Sequence, residues 1–257
     1  MATPLLEIRN VFQSFPGAGG GSIEILHDIN LEIHEHEVVA IMGPSGCGKS
    51  TLMLMIAGLL EPSSGQIRLN GKVVSGPQTD IGIMFQDNTL VPWRTVRGNI
   101  ELQLEMRGLV VSEFAERISN LLRSVHLDDF AERYPHELSG GMQQRAAFCQ
   151  AMVHNPKIML LDEPLGKLDA MTRERIRTDL QQLWMQHGPT VTFVTHSIEE
   201  AVQLSTHVAV ITPRPGLIDQ IIPIDLPFPR DLDIKNSLKF VHHVREIQEI
   251  FRGYGVI

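Results

Sequence analysis

The sequence predicts an α/β fold with a mainly parallel sheet, and three observations carry this prediction. Short runs of β-branched and other apolar residues recur along the chain, which is typical of strands buried on both faces. Segments with helical character separate these runs, and such alternation favours parallel strands. With 43% hydrophobic and 20% charged residues over a length of 257, the composition is that of a globular chain long enough to bury a core.

The amino-terminal part predicts an antiparallel β edge and then the first strand of the parallel sheet. Residues 5–15 alternate loosely, and we expect them to form an edge strand. Residues 38–42 form a short apolar run that predicts a buried strand, and a helix is expected from about Ser50 to Leu60. Residues 66–72 alternate and contain Asn-Gly, which is typical of a hairpin.

The middle of the chain, about residues 96–151, changes character and predicts a helical insertion. Apolar residues there follow the i, i+3, i+4, i+7 rule of an amphipathic helix, namely Ile118, Leu121, Leu122 and Val125.

Strand character returns at residues 158–161, 190–194 and 207–211. A proline-rich stretch then predicts an extended connection, and a last amphipathic helix is expected to follow it. The apolar face predicted for that helix consists of Leu238, Val241, Val244, Ile247 and Ile250.

Charge and composition exclude several classes of function. The net charge of −8 does not favour a polyanion, so we expect no nucleic acid partner. Two cysteines form no disulfide framework and no zinc motif. The longest apolar stretch, residues 53–60, is far shorter than the roughly 20 residues that a membrane-spanning helix needs. If the protein serves a membrane, the spanning part is expected to be another chain.

Residues 43–51 match the pattern GxxxxGK[ST] and lie between a predicted strand and a predicted helix. In that context the loop turns its backbone N–H groups toward phosphates, Lys49 reaches the β- and γ-phosphates, and the Ser50 hydroxyl binds Mg²⁺. The alternative is a chance glycine-rich turn. This motif predicts a P-loop NTPase core that uses ATP and Mg²⁺. The nucleotide-binding residues that it predicts are Gly43, Pro44, Ser45, Gly46, Cys47, Gly48, Lys49, Ser50 and Thr51.

Asp162 and Glu163 directly follow the predicted strand at 158–161. A buried strand would deliver Asp162 to the Mg²⁺ shell at the carboxyl edge of the sheet, and Glu163 is placed to polarise the attacking water. Taken alone, two acids after a strand are more often a solvated loop, and the P-loop upstream favours the metal site.

Residues 138–145, Leu-Ser-Gly-Gly-Met-Gln-Gln-Arg, resemble the signature sequence of ABC ATPases, which is much more specific than the P-loop. The resemblance covers nearly the whole chain. Gln86 matches the Q-loop glutamine, His196 the switch histidine, and residues 168–169 the end of the D-loop. Phe15 resembles the aromatic residue that stacks on adenine, although a lone Phe on an edge strand usually belongs to the core.

The resemblance implies a site shared between two subunits in a head-to-tail dimer. Ser139, Gly140 and Gly141 would contact the γ-phosphate held by the partner's P-loop, and Gln143 and Asp169 would also contact nucleotide. It further implies that Glu163, His196 and Gln86 are catalytic. The implied Mg²⁺ ligands are Ser50, Gln86 and Asp162.

Residues 91–96 and 212–216, with the tail at 226–231, resemble the importer subgroup for nitrate, sulfonates, taurine and bicarbonate. This implies an ATPase subunit at the cytoplasmic face of a bacterial inner membrane. Its partners would be a second ATPase subunit, two transmembrane permease subunits and an extracytoplasmic binding protein. A soluble ABC ATPase of translation or DNA repair is the alternative.

A single ABC domain is implied for residues 1–257. Within it we expect a RecA-like core with a β edge at about 1–95 and 152–222, the helical signature subdomain at about 96–151, and a carboxyl-terminal extension at about 223–257. Lys167, in the D-loop, stands where the family usually has a small residue.

The loop after Gln86, with Leu90, Pro92 and Trp93, is expected to form part of the socket for the membrane partner. The alternative is that Trp93 folds into the domain's own core.

Overall fold

The computed structural model describes residues 3–17, 20–87, 89–166 and 170–256, and its fold is α/β, as predicted. The strands in this part of the chain are β1 (Leu6–Pro16), β2 (Ser22–Ile33), β3 (Val38–Met42), β4 (Ser64–Leu69), β5 (Lys72–Val73), β6 (Ile81–Met84), β7 (Ile158–Asp162), β8 (Thr190–Thr195), β9 (His207–Ile211) and β10 (Ile218–Pro223). The α-helices are α1 (Lys49–Ile56), α2 (Val96–Met106), α3 (Ala115–Ser124), α4 (Gly140–Met152), α5 (Ala170–His187), α6 (Ile198–Leu204) and α7 (Leu238–Gly253).

The chain divides into two compact units. The first unit comprises residues 1–78 together with 190–257, and the second unit comprises residues 79–189. Among the described residues, no helix is long and apolar enough to cross a bilayer.

An antiparallel sheet in the first unit has the strand order β2-β1-β4-β5. The prediction that residues 5–15 form an edge strand is therefore wrong, because β1 is paired with β2 on one side and β4 on the other. β2 lies at one edge of this sheet, beside β1. The hairpin at Asn70-Gly71 is confirmed, with φ angles of 51° and 74° that suit a tight two-residue turn between β4 and β5.

The buried strands of the first unit have the order β10-β9-β3-β8. β3 pairs in parallel with β8 and with β9, and all five of its residues are buried, as its apolar run predicts. β10 pairs antiparallel to β9 within the stretch that the prolines indicated as an extended connection. This strand was not predicted, because its sequence Ile-Asp-Gln-Ile-Ile-Pro has no apolar alternation and only Ile222 of it is buried.

Helix α1 ends at Ile56, four residues before the expected end at Leu60. Gly58 explains the early stop, since its φ of 72° is left-handed and a Cβ there would lie 1.8 Å from the carbonyl oxygen of Gly76. Glycine at this position therefore terminates the helix and allows a close approach of two backbone segments.

The second unit combines the parallel pair of β6 and β7 with α2, α3, α4 and α5. The helical character of residues 96–151 is confirmed, since this stretch contains α2 to α4 and short 3₁₀ turns but no strand. The predicted apolar face is also confirmed, because Ile118, Leu121, Leu122 and Val125 are each at most 1% exposed.

Helix α7 exists as predicted, and its predicted face is confirmed in part, since Ile247 is buried and Val241, Val244 and Ile250 are half-buried. Leu238 is 89% exposed, and the buried residues of the helix are Phe240, His243, Ile247 and Phe251. The buried His243 has a polar partner, because Asp225 accepts hydrogen bonds from the His243 ring at 2.8 Å and from Lys239 Nζ at 2.6 Å. Apolar periodicity alone could not identify a face that includes a histidine.

Candidate functional site

The phosphate-binding loop lies in the first unit, between β3 and α1. Residues 43–48 leave the carboxyl end of β3 and lead into the first turn of α1, which begins at Lys49. Because β3 is flanked by two parallel strands, the loop lies at the carboxyl edge of the sheet, where open α/β sheets bind ligands. The strand–loop–helix context that the motif requires is therefore present.

The glycines of this loop are required by its backbone. Gly46 and Gly48 have left-handed φ angles of 78° and 104°. A Cβ on Gly48 would lie 2.6 Å from Leu26 Cδ2, and a Cβ on Gly43 would lie 2.7 Å from Cys47 Sγ. Side chains at these positions would force the loop open, so glycine allows both the turn and the close packing.

Lys49 folds back into its own loop and is only 8% exposed. Its ammonium donates hydrogen bonds to the carbonyl oxygens of Gly43 and Pro44, both at 2.9 Å. The cation is thereby held inside the loop whose N–H groups are expected to face phosphate. Ser45 and Ser50 are exposed and Thr51 is half-buried.

Cys47 is buried within the loop, with 1% of its surface exposed. Burial is the main cause that raises the pKa of its thiol above the usual value, so the neutral thiol is favoured. A buried neutral thiol is a poor nucleophile, which agrees with its interpretation as a small filler of the loop.

His196 directly follows β8, and the sheet register brings it to the same edge as the P-loop. Met42 and Thr195 are the last register partners in the parallel pair of β3 and β8, so Gly43 and His196 each lie one residue beyond the strands at the same edge. The Thr195 hydroxyl donates to Glu200 and accepts from the Ser197 N–H at 3.1 Å. These contacts fix the turn that presents the exposed His196.

Phe15 lies near the end of β1, opposite Ile23 of β2. Phe15 is 38% exposed and Ile23 is 43% exposed. The alternative that Phe15 belongs to the core is therefore wrong, and its stacking on adenine stays a prediction.

The two acids lie in the second unit, at the end of β7. Asp162 is the last residue of the strand, and Glu163 follows with a φ of 47°, a left-handed conformation that is uncommon for a side chain other than glycine. Glu163 Oε2 accepts a hydrogen bond from Gln86 Nε2 at 2.9 Å. Gln86 follows β6, whose parallel pairing with β7 places the two segments side by side. The fold thus brings together two residues that the sequence singled out separately, Gln86 and Glu163.

The signature sequence forms the start of α4. Ser139 is the N-cap, and its hydroxyl accepts a hydrogen bond from the Met142 N–H at 3.3 Å. Ser139 and Gly140 are exposed, and a Cβ on Gly140 would meet no described atom within 4 Å. The first turn of this helix is therefore accessible to an anion.

Gln143 and Arg145 of the signature sequence face the interior of the second unit. Gln143 Nε2 donates to the carbonyl oxygens of Pro135 and Leu138 at 2.7 and 3.4 Å, and it thereby fastens the segment that leads into α4. Its contact with nucleotide stays a prediction. Arg145 donates to the Val125 carbonyl at 2.7 Å and lies 3.8 Å from Asp179.

Two contacts near the site escaped the sequence analysis. Gln144 donates to the carbonyl oxygen of Pro164, the residue after Glu163. Asn99 is fully buried and bonds to the backbone of Val91, Arg94 and Thr95. Only the position of Gln144 on the signature helix hinted at the first contact, and no pattern in the sequence indicated the second.

Trp93 is 76% exposed, so the alternative that it folds into the core is wrong. Pro92 is exposed as well. Leu90 is buried, so the prediction that it forms part of this surface is wrong. The D-loop residues Lys167, Leu168 and Asp169 lie outside the described residues.

Comparisons with known proteins agree with this arrangement. Residues 26–166 match the family model described as ABC transporter. The taurine import ATP-binding protein TauB of Jannaschia sp. is 41% identical, and the match covers 94% of this chain and 92% of that protein. The aliphatic sulfonates import ATP-binding protein SsuB of Bacillus licheniformis is 42% identical, with coverage of 88% and 87%.

A solved structure is similar over most of its length. The dimeric, post-hydrolysis state of the ATP-binding cassette MJ0796, bound to ADP and Pi, has a TM-score of 0.73 and 33% sequence identity, covering 86% of this chain and all of that chain. The chain therefore belongs to the ABC transporter family, in which it is an ATP-hydrolysing cassette.

Proposed function

We propose that this cassette powers an importer for a small anionic or zwitterionic solute of the sulfonate class, with taurine as the first candidate. Two relatives named for the import of taurine and of aliphatic sulfonates are 41% and 42% identical to this chain over most of its length. These matches favour an importer over a soluble ABC ATPase of translation or DNA repair.

One observation carries the catalytic part of the proposal. Gln86 and Glu163 are 77 residues apart in sequence, and their side chains meet at 2.9 Å beside the end of β7. A carboxylate held by an amide donor is positioned to accept a hydrogen bond from water, so Glu163 orients the attacking water for displacement at the γ-phosphate. In this proposal Gln86 contacts both the Glu163 carboxylate and the bound nucleotide.

We assign the Mg²⁺ that accompanies ATP to Ser50, Gln86 and Asp162. A hydroxyl, an amide oxygen and a carboxylate are the hard oxygen donors that this ion prefers. When bound, Mg²⁺ neutralises charge on the β- and γ-phosphate oxygens. Lys49 exchanges its two carbonyl partners for phosphate oxygens, and His196 contacts the terminal phosphate from the edge of β8.

We further propose that the site is shared between two cassettes, with Ser139 of one subunit completing the site built on Lys49 of the other. The exposed, serine-capped start of α4 supports this, because a helix N-terminus that is accessible binds an anion well. Gly140, Gly141, Gln143 and Asp169 belong to the same half of the shared site.

Subunit mixing tests the shared site. The double variant Lys49→Ala with Ser139→Arg is mixed with wild type under conditions in which subunits exchange. Every heterodimer then contains one site with a mutant P-loop and one with a mutant signature, so activity should fall with the square of the wild-type fraction. A linear fall, with exchange verified independently, contradicts the shared site and leaves a self-contained ATPase.

The membrane partners are tested by co-purification. We expect the cassette to bind two permease subunits at the cytoplasmic face of a bacterial inner membrane, fed by an extracytoplasmic binding protein. ATPase activity of the assembled complex should rise when taurine and its binding protein are added, whereas nitrate and bicarbonate serve as competing candidates. Recovery with ribosomes or DNA instead of hydrophobic chains would favour the soluble alternative.

Within this function we propose the division expected from the sequence, with a nucleotide-binding core at about 1–95 and 152–222, a helical signature subdomain at about 96–151 and a carboxyl-terminal extension at about 223–257. The helical content of residues 96–151 supports the middle boundary pair. Limited proteolysis with and without ATP–Mg²⁺ would test these boundaries.

A further inference from the structure

The loop that follows β7 is fastened at three consecutive carbonyl groups. The carbonyl oxygen of Glu163 accepts from the Gly166 N–H at 3.1 Å, that of Pro164 accepts from Gln144 Nε2, and that of Leu165 accepts from Arg173 Nε at 3.3 Å. The three donors belong to the loop itself, to α4 and to α5. The position of this short segment is therefore set by two helices as well as by its own backbone.

Glu163 needs such support because of its backbone conformation. A residue with a side chain at a φ of 47° keeps that conformation only where its surroundings determine it from several sides. Pro164 has no N–H to contribute, so its carbonyl is the backbone polar group through which a neighbouring element can hold it. Gln144 makes that contact.

The orientation of the Gln144 amide follows from its surroundings. Its nitrogen faces the Pro164 carbonyl, and its oxygen is buried without a hydrogen-bond partner among the described residues. The reversed amide would set two oxygens against each other, so the donor must point to Pro164. The Gln144 amide therefore makes the hydrogen bond to Pro164 although its oxygen is left without a partner among the described residues.

Neighbouring contacts fix the face of α4 that carries Gln144. The adjacent Arg145 donates to the Val125 carbonyl at 2.7 Å and lies 3.8 Å from Asp179 on α5. Burial lowers the pKa of Arg145 and raises the pKa of Asp179, and each is opposed by the charge of the other. Rotation of the helix would break this buried pair, so Gln144 stays directed at Pro164.

We propose that Gln144 is a positioning residue for Glu163, and that it links the signature helix to the water-orienting carboxylate within one subunit. The proposal rests on the proposed function in one respect, namely that Glu163 orients the attacking water. Ser139 caps the same helix, and Gln144 lies five residues further along, less than two turns into α4. A displacement of α4 when Ser139 binds phosphate is thus passed through Gln144 to Pro164 and its neighbour Glu163.

The test uses the full chain with ATP–Mg²⁺ and separates kcat from KM. Gln144→Met keeps the length of the side chain without a donor, and Gln144→Glu replaces the donor by an acceptor that repels the carbonyl. Each should lower kcat about 10- to 100-fold, the effect of a misplaced group, while KM for ATP changes less than about twofold. Gln144→Lys, which restores a donor, should recover most of kcat.

Gln150 provides a matched control on the same helix. It is 5% exposed, and its amide donates to the Asn99 carbonyl at 3.1 Å, away from the loop after β7. Gln150→Met should lower the thermal midpoint by about as much as Gln144→Met and leave kcat of the folded protein within about twofold. Equal losses of kcat in both variants would overturn the proposal, because they would indicate a general loss of structure.

A double variant separates the two levels of the argument. If Gln144 acts through Glu163, Gln144→Met should have no further effect on the residual turnover of Glu163→Gln, whereas independent effects would add. Additive losses would overturn the proposal, as would wild-type kcat in Gln144→Met beside an inactive Glu163→Gln. Normal turnover by Glu163→Gln alone would instead overturn the assignment of Glu163.

Discussion

The phosphate-binding loop of the first unit and the Glu163 loop of the second unit both follow a buried parallel strand, but they are held by different kinds of contact. In residues 43–49 the loop is closed by its own glycines and by Lys49, which bonds to carbonyls five and six residues away. The Glu163 loop is held by side chains 20 and 77 residues away, from Gln144 and Gln86.

This difference separates a preformed binding surface from an adjustable one. The P-loop is closed mainly by local contacts, with Gly48 packed against Leu26, so its shape depends little on polar side chains from distant elements. A loop that is positioned by distant side chains moves when the elements carrying those side chains move. Under the proposed function, the first loop binds phosphate and the second carries the residue that controls hydrolysis.

The largest effect is expected from Glu163→Gln, which tests whether the second loop supplies chemistry or only shape. The amide oxygen can still accept from Gln86, so the loop should keep its geometry, but the amide is a far poorer acceptor for polarising water. Turnover should fall about 100- to 10,000-fold while ATP binding is retained. Turnover is measured by phosphate release, and ATP-dependent dimerisation by sizing with and without ATP.

Near-normal hydrolysis by this variant would remove Glu163 from its role. A variant that binds ATP, does not hydrolyse it and stays monomeric would agree with the role of Glu163 but contradict ATP-dependent dimerisation.

Lys49→Ala tests the first loop and should act one step earlier. Removing the ammonium deprives the triphosphate of a charge-assisted contact that is typically worth about 1.5–3 kcal/mol, so the Kd for ATP–Mg²⁺ should rise roughly tenfold or more. The far-UV circular dichroism should not change, because the backbone path is set by the glycines. Calorimetric binding that matches wild type would contradict the P-loop assignment.

The sequence alone predicted the locally closed P-loop better than the Glu163 loop, whose contacts come from distant segments. The P-loop was predicted residue by residue, because its motif, strand and helix are contiguous and its geometry is local. Gln86 and Glu163 were each singled out, but their hydrogen bond to each other was not predicted, because it joins segments 77 residues apart. The contacts of Gln144 with Pro164 and of Asn99 with residues 91–95 were not predicted, because they depend on packing between segments that no periodicity connects.

Strands and helices show the same limit. β3, β7 and β9 are largely apolar runs and β8 is rich in β-branched residues, and all four were predicted, whereas β10 and the interior position of β1 were not. The buried face of α7 was predicted only in part, because His243 lies on it beside Ile247 and bonds to Asp225. Where a buried position is filled by a polar residue with a partner, hydrophobic pattern gives the wrong answer.

Two glycine substitutions in the P-loop sharpen the claim that this loop is closed by its own backbone. Gly46 and Gly48 both have left-handed φ angles, but a Cβ on Gly46 meets nothing within 4 Å, whereas a Cβ on Gly48 would lie 2.6 Å from Leu26. Alanine should cost about 1–2 kcal/mol of unfolding free energy at Gly46 from conformation alone, and a further amount of about 1–3 kcal/mol at Gly48 from overpacking.

The measurement for this pair is urea unfolding of both variants beside wild type. Equal losses would show that the backbone conformation dominates and that contact with Leu26 is relieved at little cost. Absence of any loss at Gly46 would contradict the left-handed conformation itself.

The smallest effect on stability is expected at the loop that bears Trp93, which adds a third case to the comparison. This loop is held from within by Asn99, whose side chain accepts from the Val91 N–H at 2.6 Å and donates to the carbonyls of Val91, Arg94 and Thr95 at 3.0–3.1 Å. The loop is therefore preorganised without any contribution from Trp93, whose side chain is 76% exposed. A large aromatic side chain presented on a fixed loop is typical of a protein–protein contact.

Trp93→Ala should accordingly change the free energy of unfolding by no more than about 0.5 kcal/mol, as expected for an exposed position, and should abolish co-purification with the membrane partner. Asn99→Ala is the matched contrast, because it leaves buried backbone groups without partners and should cost about 1–3 kcal/mol. Urea unfolding of the isolated cassette gives the first quantity, and pull-down of the assembled complex gives the second. If Trp93→Ala unfolds the cassette, the tryptophan supports the fold and the socket is misplaced. If it leaves both stability and co-purification intact, the permease contact must lie on another surface.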